Sequence, residues 1–187
     1  MDLLSVPRFY RGCICGAASI ASSSGCEIFL HMPTEIERKF LVKSEAWREG
    51  LPGERIVQGY LCREKERTVR VRIKGDKGFL TIKGLSEGVS RKEFEYEIPV
   101  GEADELLLLC TPPLLDKVRY ERRHGGHLWE IDEFAGENHG LIVAEIELDE
   151  EGSEFEKPEW VGEEVSDDPR YYNACLVEHP WSQWRKR

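Results

Sequence analysis

Hydrophobic and polar residues alternate with period two through most of the chain after Glu35, the pattern of β-strands with one face buried. In EIERKFLV, Glu35, Glu37 and Lys39 share one face and Ile36, Phe40 and Val42 the other. RTVRVRI sets Arg70 and Arg72 against Val69, Val71 and Ile73, and FLTIK sets Thr81 and Lys83 against Leu80 and Ile82. RKEFEYEI places Arg91, Glu93, Glu95 and Glu97 opposite Phe94, Tyr96 and Ile98, and DKVRYER turns Lys117 and Arg119 away from Val118 and Tyr120. HLWEIDEF sets Glu130 and Asp132 against Trp129 and Ile131. LIVAEIEL sets Glu145 and Glu147 against Ile142, Ala144, Ile146 and Leu148. Together with IVQGYL, these segments predict about eight strands.

GEADELLLLC, residues 101–110, breaks the alternation and predicts a short helix with a Leu-rich face. Turn chemistry separates the strands at Lys74-Gly75-Asp76-Lys77-Gly78, across residues 84–90, and at Gly125-Gly126. No repeat of solenoid length and no Gly-Ser linker interrupts residues 33–187. The expected fold is mainly β (α+β): a closed eight-stranded antiparallel barrel with helices packed outside. Residues 1–31 are rich in Ser, Ala, Gly and Cys and lack a sustained amphipathic period. They are expected to be a disordered extension or a misassigned start, with residues 32–187 forming the domain.

Composition narrows the class of protein. The chain has 187 residues, and 33% charged content accompanied by 10% aromatics argues for a folded chain. Cys62, Cys110 and Cys175 are widely spaced without a CxxC pair, as expected of free thiols in a reducing cytoplasm. No run approaches the ~18 apolar residues of a membrane span. A net charge of -10 disfavours nucleic acid and anionic membrane as partners. That average hides an asymmetry. Residues 63–123 hold 14 basic and 12 acidic side chains, whereas residues 124–170 hold 2 basic and 16 acidic.

A solvated sheet face accounts for polar residues on alternate positions, but such a face usually carries Thr, Ser, Gln and Asn as well. Here it is almost wholly Glu, Arg and Lys, with like charges two residues apart, an arrangement that is costly unless something lies between them. Glu35-x-Glu37 and Glu145-x-Glu147 each project two carboxylates about 6 to 7 Å apart, hard oxygen donors suited to Mg²⁺ or Mn²⁺. Arg70-x-Arg72 and Lys117-x-Arg119 repeat the spacing with positive charge, suited to a linear polyphosphate. The combination suits phosphoryl transfer, which is catalysed mainly by positioning and charge neutralisation. His31, His124, His127, His139 and His179 have no mutual metal spacing, and Trp181 and Trp184 predict a docking face for the terminal segment.

The ordered motifs Glu35-Ile36-Glu37-Arg38-Lys39, Gln58-Gly59-Tyr60-Leu61, Thr68-Val69-Arg70-Val71-Arg72, Thr81-Ile82-Lys83, Lys117-Val118-Arg119-Tyr120, Glu145-Ile146-Glu147 and Arg170-Tyr171-Tyr172-Asn173 resemble those of the CYTH superfamily, the triphosphate tunnel metalloenzymes. The resemblance implies a tunnel with a charged interior that binds a triphosphate and divalent cations, Mg²⁺ or Mn²⁺. Glu35, Glu37, Glu145, Glu147 and Asp132 look like the metal set. Lys39, Arg70, Arg72, Lys83, Lys117, Arg119 and Arg170 look like the triphosphate set. Lys39, Tyr60 and Glu93 look catalytic. The implied reaction is metal-dependent hydrolysis of inorganic triphosphate to pyrophosphate and phosphate. The alternatives are a class IV type adenylate cyclase, a thiamine-triphosphatase and a non-catalytic polyphosphate- or nucleotide-binding module. A homodimer is compatible with so small a barrel.

Overall fold

The computed structural model describes residues 36–64, 66–87, 90–150 and 152–184. The chain divides into two units between His31 and Met32. The reading given to residues 1–31, and the place of Glu35, lie outside the described residues.

The alternating segments form β1 (Ile36–Val42), β2 (Glu54–Glu64), β3 (Arg67–Lys74), β4 (Lys77–Glu87), β5 (Ser90–Ile98), β6 (Leu115–His124), β7 (His127–Phe134) and β8 (Ile142–Leu148). The Leu-rich segment forms α1 (Val100–Leu108). Two tight turns follow the glycines: Gly75 opens the β3–β4 turn with φ 58°, and Gly125 and Gly126 join β6 to β7 with φ 57° and 83°. Positive φ at these positions matches the right-handed twist of the flanking strands.

Two elements were not expected. β9 (Val161–Glu164) is four residues long, too short to show an alternation, and α2 (Asn173–Glu178) lies in the Trp-containing terminal segment. β9 also corrects the expected closure. The sheet has nine strands in the order β5-β4-β3-β2-β6-β7-β8-β1-β9, and no hydrogen-bonded pairing joins β5 to β9 among the described residues. The physical reason is that β9 occupies the outer edge of β1, the edge on which an eight-stranded barrel would close.

The sheet nevertheless curls strongly. Four strand spacings of ~4.8 Å would hold β2 about 19 Å from β1 if the sheet were flat. Instead Tyr60 of β2, Leu115 of β6, Phe134 of β7, Val143 of β8 and Leu41 of β1 belong to one apolar cluster, which Leu176 and Val177 of α2 complete. Trp181 and Trp184 pack against this cluster, as expected of a docking terminal segment.

The outer face is covered in two places. Phe40, Trp129, Ala144 and Ile146 pack with Trp47, Trp160 and Phe155, while α1 buries Ala103 and Leu107 against Val71, with Leu80 and Ile98 alongside. Gly78 permits the α1 contact, because a Cβ there would lie 2.7 Å from the Ala103 Cβ and 2.9 Å from the Ile98 carbonyl oxygen. The cover stops short of the sheet edge, where Phe94 and Tyr96 are about half exposed although their alternation suggested burial.

Candidate active site

Because side chains alternate along each strand, register decides which residues share the inner face. Lys39 opposes Glu145 and Glu37 opposes Glu147 across β1 and β8, and Glu145 in turn opposes Glu130 of β7. Asp132 opposes Arg119. Farther round the curl, Arg70 lies between Tyr60 and Thr81, Arg72 lies between Gln58 and Phe79, and Lys83 opposes Glu93. A single face therefore gathers nearly every charged residue singled out by alternation.

At its acidic end, the Lys39 Nζ donates to Glu145 Oε1 at 2.5 Å and lies 2.9 Å from Glu37 Oε2. Burial alone would lower the Lys39 ammonium, but Glu145 and Glu37 outweigh it and raise its pKa, so Lys39 stays charged. Glu145 shows the converse balance. Burial would raise its carboxyl, yet Lys39, Lys117 and Arg119 hold it below the usual carboxylate range. The Glu37 side chain is 42% exposed but is crowded by its neighbours on the face. Burial and the nearby Glu145 push its carboxyl up to about 7.

Crowded carboxylates of this kind are what a cation relieves. No group of three His, Cys, Asp or Glu side chains is preassembled around a metal position among the described residues. The donor chemistry still fits a hard divalent ion, since the register sets Glu37 opposite Glu147 with Glu145 two residues along the same side of β8, and all three are oxygen donors.

Asp132, with no exposed surface, is held by two cations. It accepts from Lys117 Nζ, and from Arg119 Nε at 2.7 Å and Nη2 at 2.6 Å. Arg119 also donates to Glu145 Oε2 at 2.8 Å and to Glu130. Burial pushes the Lys117 ammonium down, with Asp132 opposing the shift and Arg119 adding to it.

On β3, Arg70 and Arg72 share Glu95, with the nearest contacts at 3.3 and 3.0 Å, and the Thr81 hydroxyl donates to the same carboxylate at 2.7 Å. Burial and the neighbouring Arg70 lower the pKa of Arg72. The Nε groups of both arginines are buried and make no hydrogen bond. Buried donors without acceptors are uncommon and call for a ligand or water. Lys83 pairs with Glu93 at 2.5 Å. The Tyr60 hydroxyl accepts from Gln58 Nε2 at 3.4 Å, and burial raises its pKa, so it remains a neutral donor at neutral pH.

Arg170 stands apart from this set. It sits on a 3-10 turn, binds Asp168 through Nε and Nη2, and lies over the Trp184 ring at 5.0 Å. Conversely, Thr81, Glu95 and Glu130 join the face without having been assigned a role from sequence. Their place in the alternation was the signal for them.

The fold and this face define a curled β-sheet protein whose inner surface carries alternating carboxylates and cations. The chain belongs to the CYTH domain family, which it matches over residues 33–172. It is 50% identical over 156 residues to a protein of Acetivibrio thermocellus named inorganic triphosphatase, covering 83% of this chain and all of that one. A second inorganic triphosphatase, from Nitrosomonas europaea, is 38% identical over 148 residues, with 77% of this chain and 97% of the other covered. A crystal structure of an inorganic triphosphatase superposes with a TM-score of 0.61 at 36% identity, covering 79% of this chain and 96% of that one. No helix among the described residues is long and apolar enough to cross a membrane.

Proposed function

We propose that this chain hydrolyses inorganic triphosphate to pyrophosphate and phosphate with the help of Mg²⁺ or Mn²⁺, the curled sheet serving as the wall of a tunnel around the substrate. The observation that carries the proposal is the inner face itself. It carries the Arg70 and Arg72 donors, two of them buried without acceptors, on β3 and a carboxylate group built around Glu145 on β1 and β8.

Arg70, Arg72, Lys83, Lys117 and Arg119 bind phosphoryl oxygens. The carboxylates that pair with these cations in the ligand-free chain hold them in place on the face, so binding exchanges one set of anionic partners for another. A divalent ion held by Glu37, Glu145 and Glu147, with Glu35 as the further donor implied by the resemblance, would neutralise phosphate charge and acidify a bound water. Lys39 and the Tyr60 hydroxyl are protonated donors for the oxygen that leaves. The water oxygen bonds to the terminal phosphorus as the bridging P–O bond breaks, yielding phosphate and pyrophosphate and releasing the proton of the water.

The assay that tests this offers the purified full chain inorganic triphosphate, ATP and thiamine triphosphate in the presence of Mg²⁺ or Mn²⁺, with phosphate, pyrophosphate and cyclic AMP measured. Preferential release of phosphate and pyrophosphate from inorganic triphosphate is expected. Cyclic AMP from ATP, with triphosphate left intact, would replace this function by a cyclase. Binding of all three without turnover would leave only a binding module.

A further inference from the structure

Pairing along β2 slips at Leu61. Tyr60 opposes Arg70, but Cys62 opposes Val69 and Arg63 opposes Thr68. A bulge of one residue reverses the alternation beyond it. With unbroken alternation, Cys62 would follow Gln58 and Tyr60 onto the inner face and Arg63 would point outward. With the bulge, Arg63 shares the inner face with Thr68 and, through Thr68, stands in one cross-strand row with Lys83 and Glu93. The sequence pattern therefore conceals a cation of this face.

The state of Arg63 resembles that of Arg70 and Arg72. Its side chain is 20% exposed, and its Nη1 is buried without a hydrogen bond. A carboxylate of α2, Glu178, lies 3.6 Å from Nη1, beyond hydrogen-bond reach. Buried nitrogens without a hydrogen bond thus belong to three arginines of one face, on two adjacent strands. The charge of Arg63 is also felt at the Tyr60 hydroxyl, where it opposes the effect of burial.

We infer that Arg63 is a further phosphate-binding residue, gripping a phosphoryl oxygen of the substrate at the α2 end of the face, with Glu178 as the carboxylate it exchanges for that oxygen. The inference rests on the proposed triphosphate site. The competing role is a tether: the Arg63–Glu178 pair would then only fasten α2 to β2.

Kinetics with inorganic triphosphate on the full chain separate the two roles. Arg63→Gln is expected to raise KM about tenfold, the cost of one lost charge-assisted contact, with kcat changed less than about threefold. Arg63→Lys is expected to fall between Gln and wild type. Glu178→Gln frees the guanidinium and is expected to leave KM equal or lower. A tether predicts instead that Arg63→Gln and Glu178→Gln lower the melting temperature alike and move KM in the same direction, and that result overturns the inference. So does an unchanged KM in Arg63→Gln or, should that variant fail to fold, in Arg63→Lys. The wild-type control keeps the two claims apart. If the wild type leaves triphosphate intact, the proposed function fails; if the wild type is active and the Arg63 variants match it, only the assignment of Arg63 fails.

Discussion

Lys39 and Glu145 face one another across β1 and β8, with Nζ 2.5 Å from Oε1 and both side chains less than a tenth exposed. The pair joins the two halves of the chemistry, because Glu145 also accepts from Arg119 while Lys39 also meets Glu37. A buried pair of this kind adds little net stability, since desolvation offsets much of the attraction, but it fixes charge and orientation in place. The proposed site is therefore expected to respond to mutation differently from residue to residue.

Arg72 is the clearest case. It contacts Glu95 and Phe79 and fills no apolar core. Arg72→Ala is expected to lower kcat/KM for triphosphate by at least about 100-fold. Unfolding free energy should change by no more than about 1 kcal/mol, as for a partly exposed ion pair. Urea denaturation beside steady-state kinetics checks both halves.

Asp132 is expected to behave differently, because it is the buried counter-charge of Lys117 and Arg119. Removing one member of a buried ionic group leaves the others uncompensated, so Asp132→Asn should cost about 3 kcal/mol. Chemical denaturation of the metal-free protein measures this directly, without reference to activity.

The packing of α1 gives a test remote from the charges. At Gly78 an added Cβ meets both the Ala103 side chain and backbone of Ile98, and backbone cannot swing aside. Gly78→Ala should therefore destabilise by about 1 to 3 kcal/mol through overpacking. Thermal unfolding reports it, with KM for triphosphate expected to stay close to that of the wild type.

Acid should loosen the β1–β9 edge. The Arg38 guanidinium is hydrogen-bonded to Glu164 and holds its carboxyl below the usual range. A depressed folded pKa contributes stability above the unfolded value of about 4.3, and that contribution is lost as pH falls through the folded value. Glu164→Gln should lower stability by about 0.5 kcal/mol at pH 7, a typical figure for an exposed pair. The difference from wild type should shrink as pH falls below about 4.3 and vanish once the folded-state carboxyl is protonated.

Much of this arrangement was legible in the sequence, because alternation assigns a face to each residue without knowledge of the strand order. The pairing of Arg70 and Arg72, of Lys117 and Arg119, and of Glu145 with Glu147 on one side follows from spacing alone. Three features were not legible. β9 is too short to carry a period, and it takes the β1 edge on which a closed barrel depends. The bulge at Leu61 leaves no mark in composition, yet it moves Arg63 to the inner face. The position of Arg170 depends on a local bond to Asp168 and a Trp184 ring, which strand patterning does not address.

Hydrolysis of inorganic triphosphate at this face is read out by a product count by phosphorus NMR on the purified full chain. With Mg²⁺ or Mn²⁺ present, one phosphate and one pyrophosphate are expected for each triphosphate consumed, with the reaction stopped by a chelator and restored by excess metal. Triphosphate that stays intact with either metal, under conditions where the chain is folded, would contradict the account.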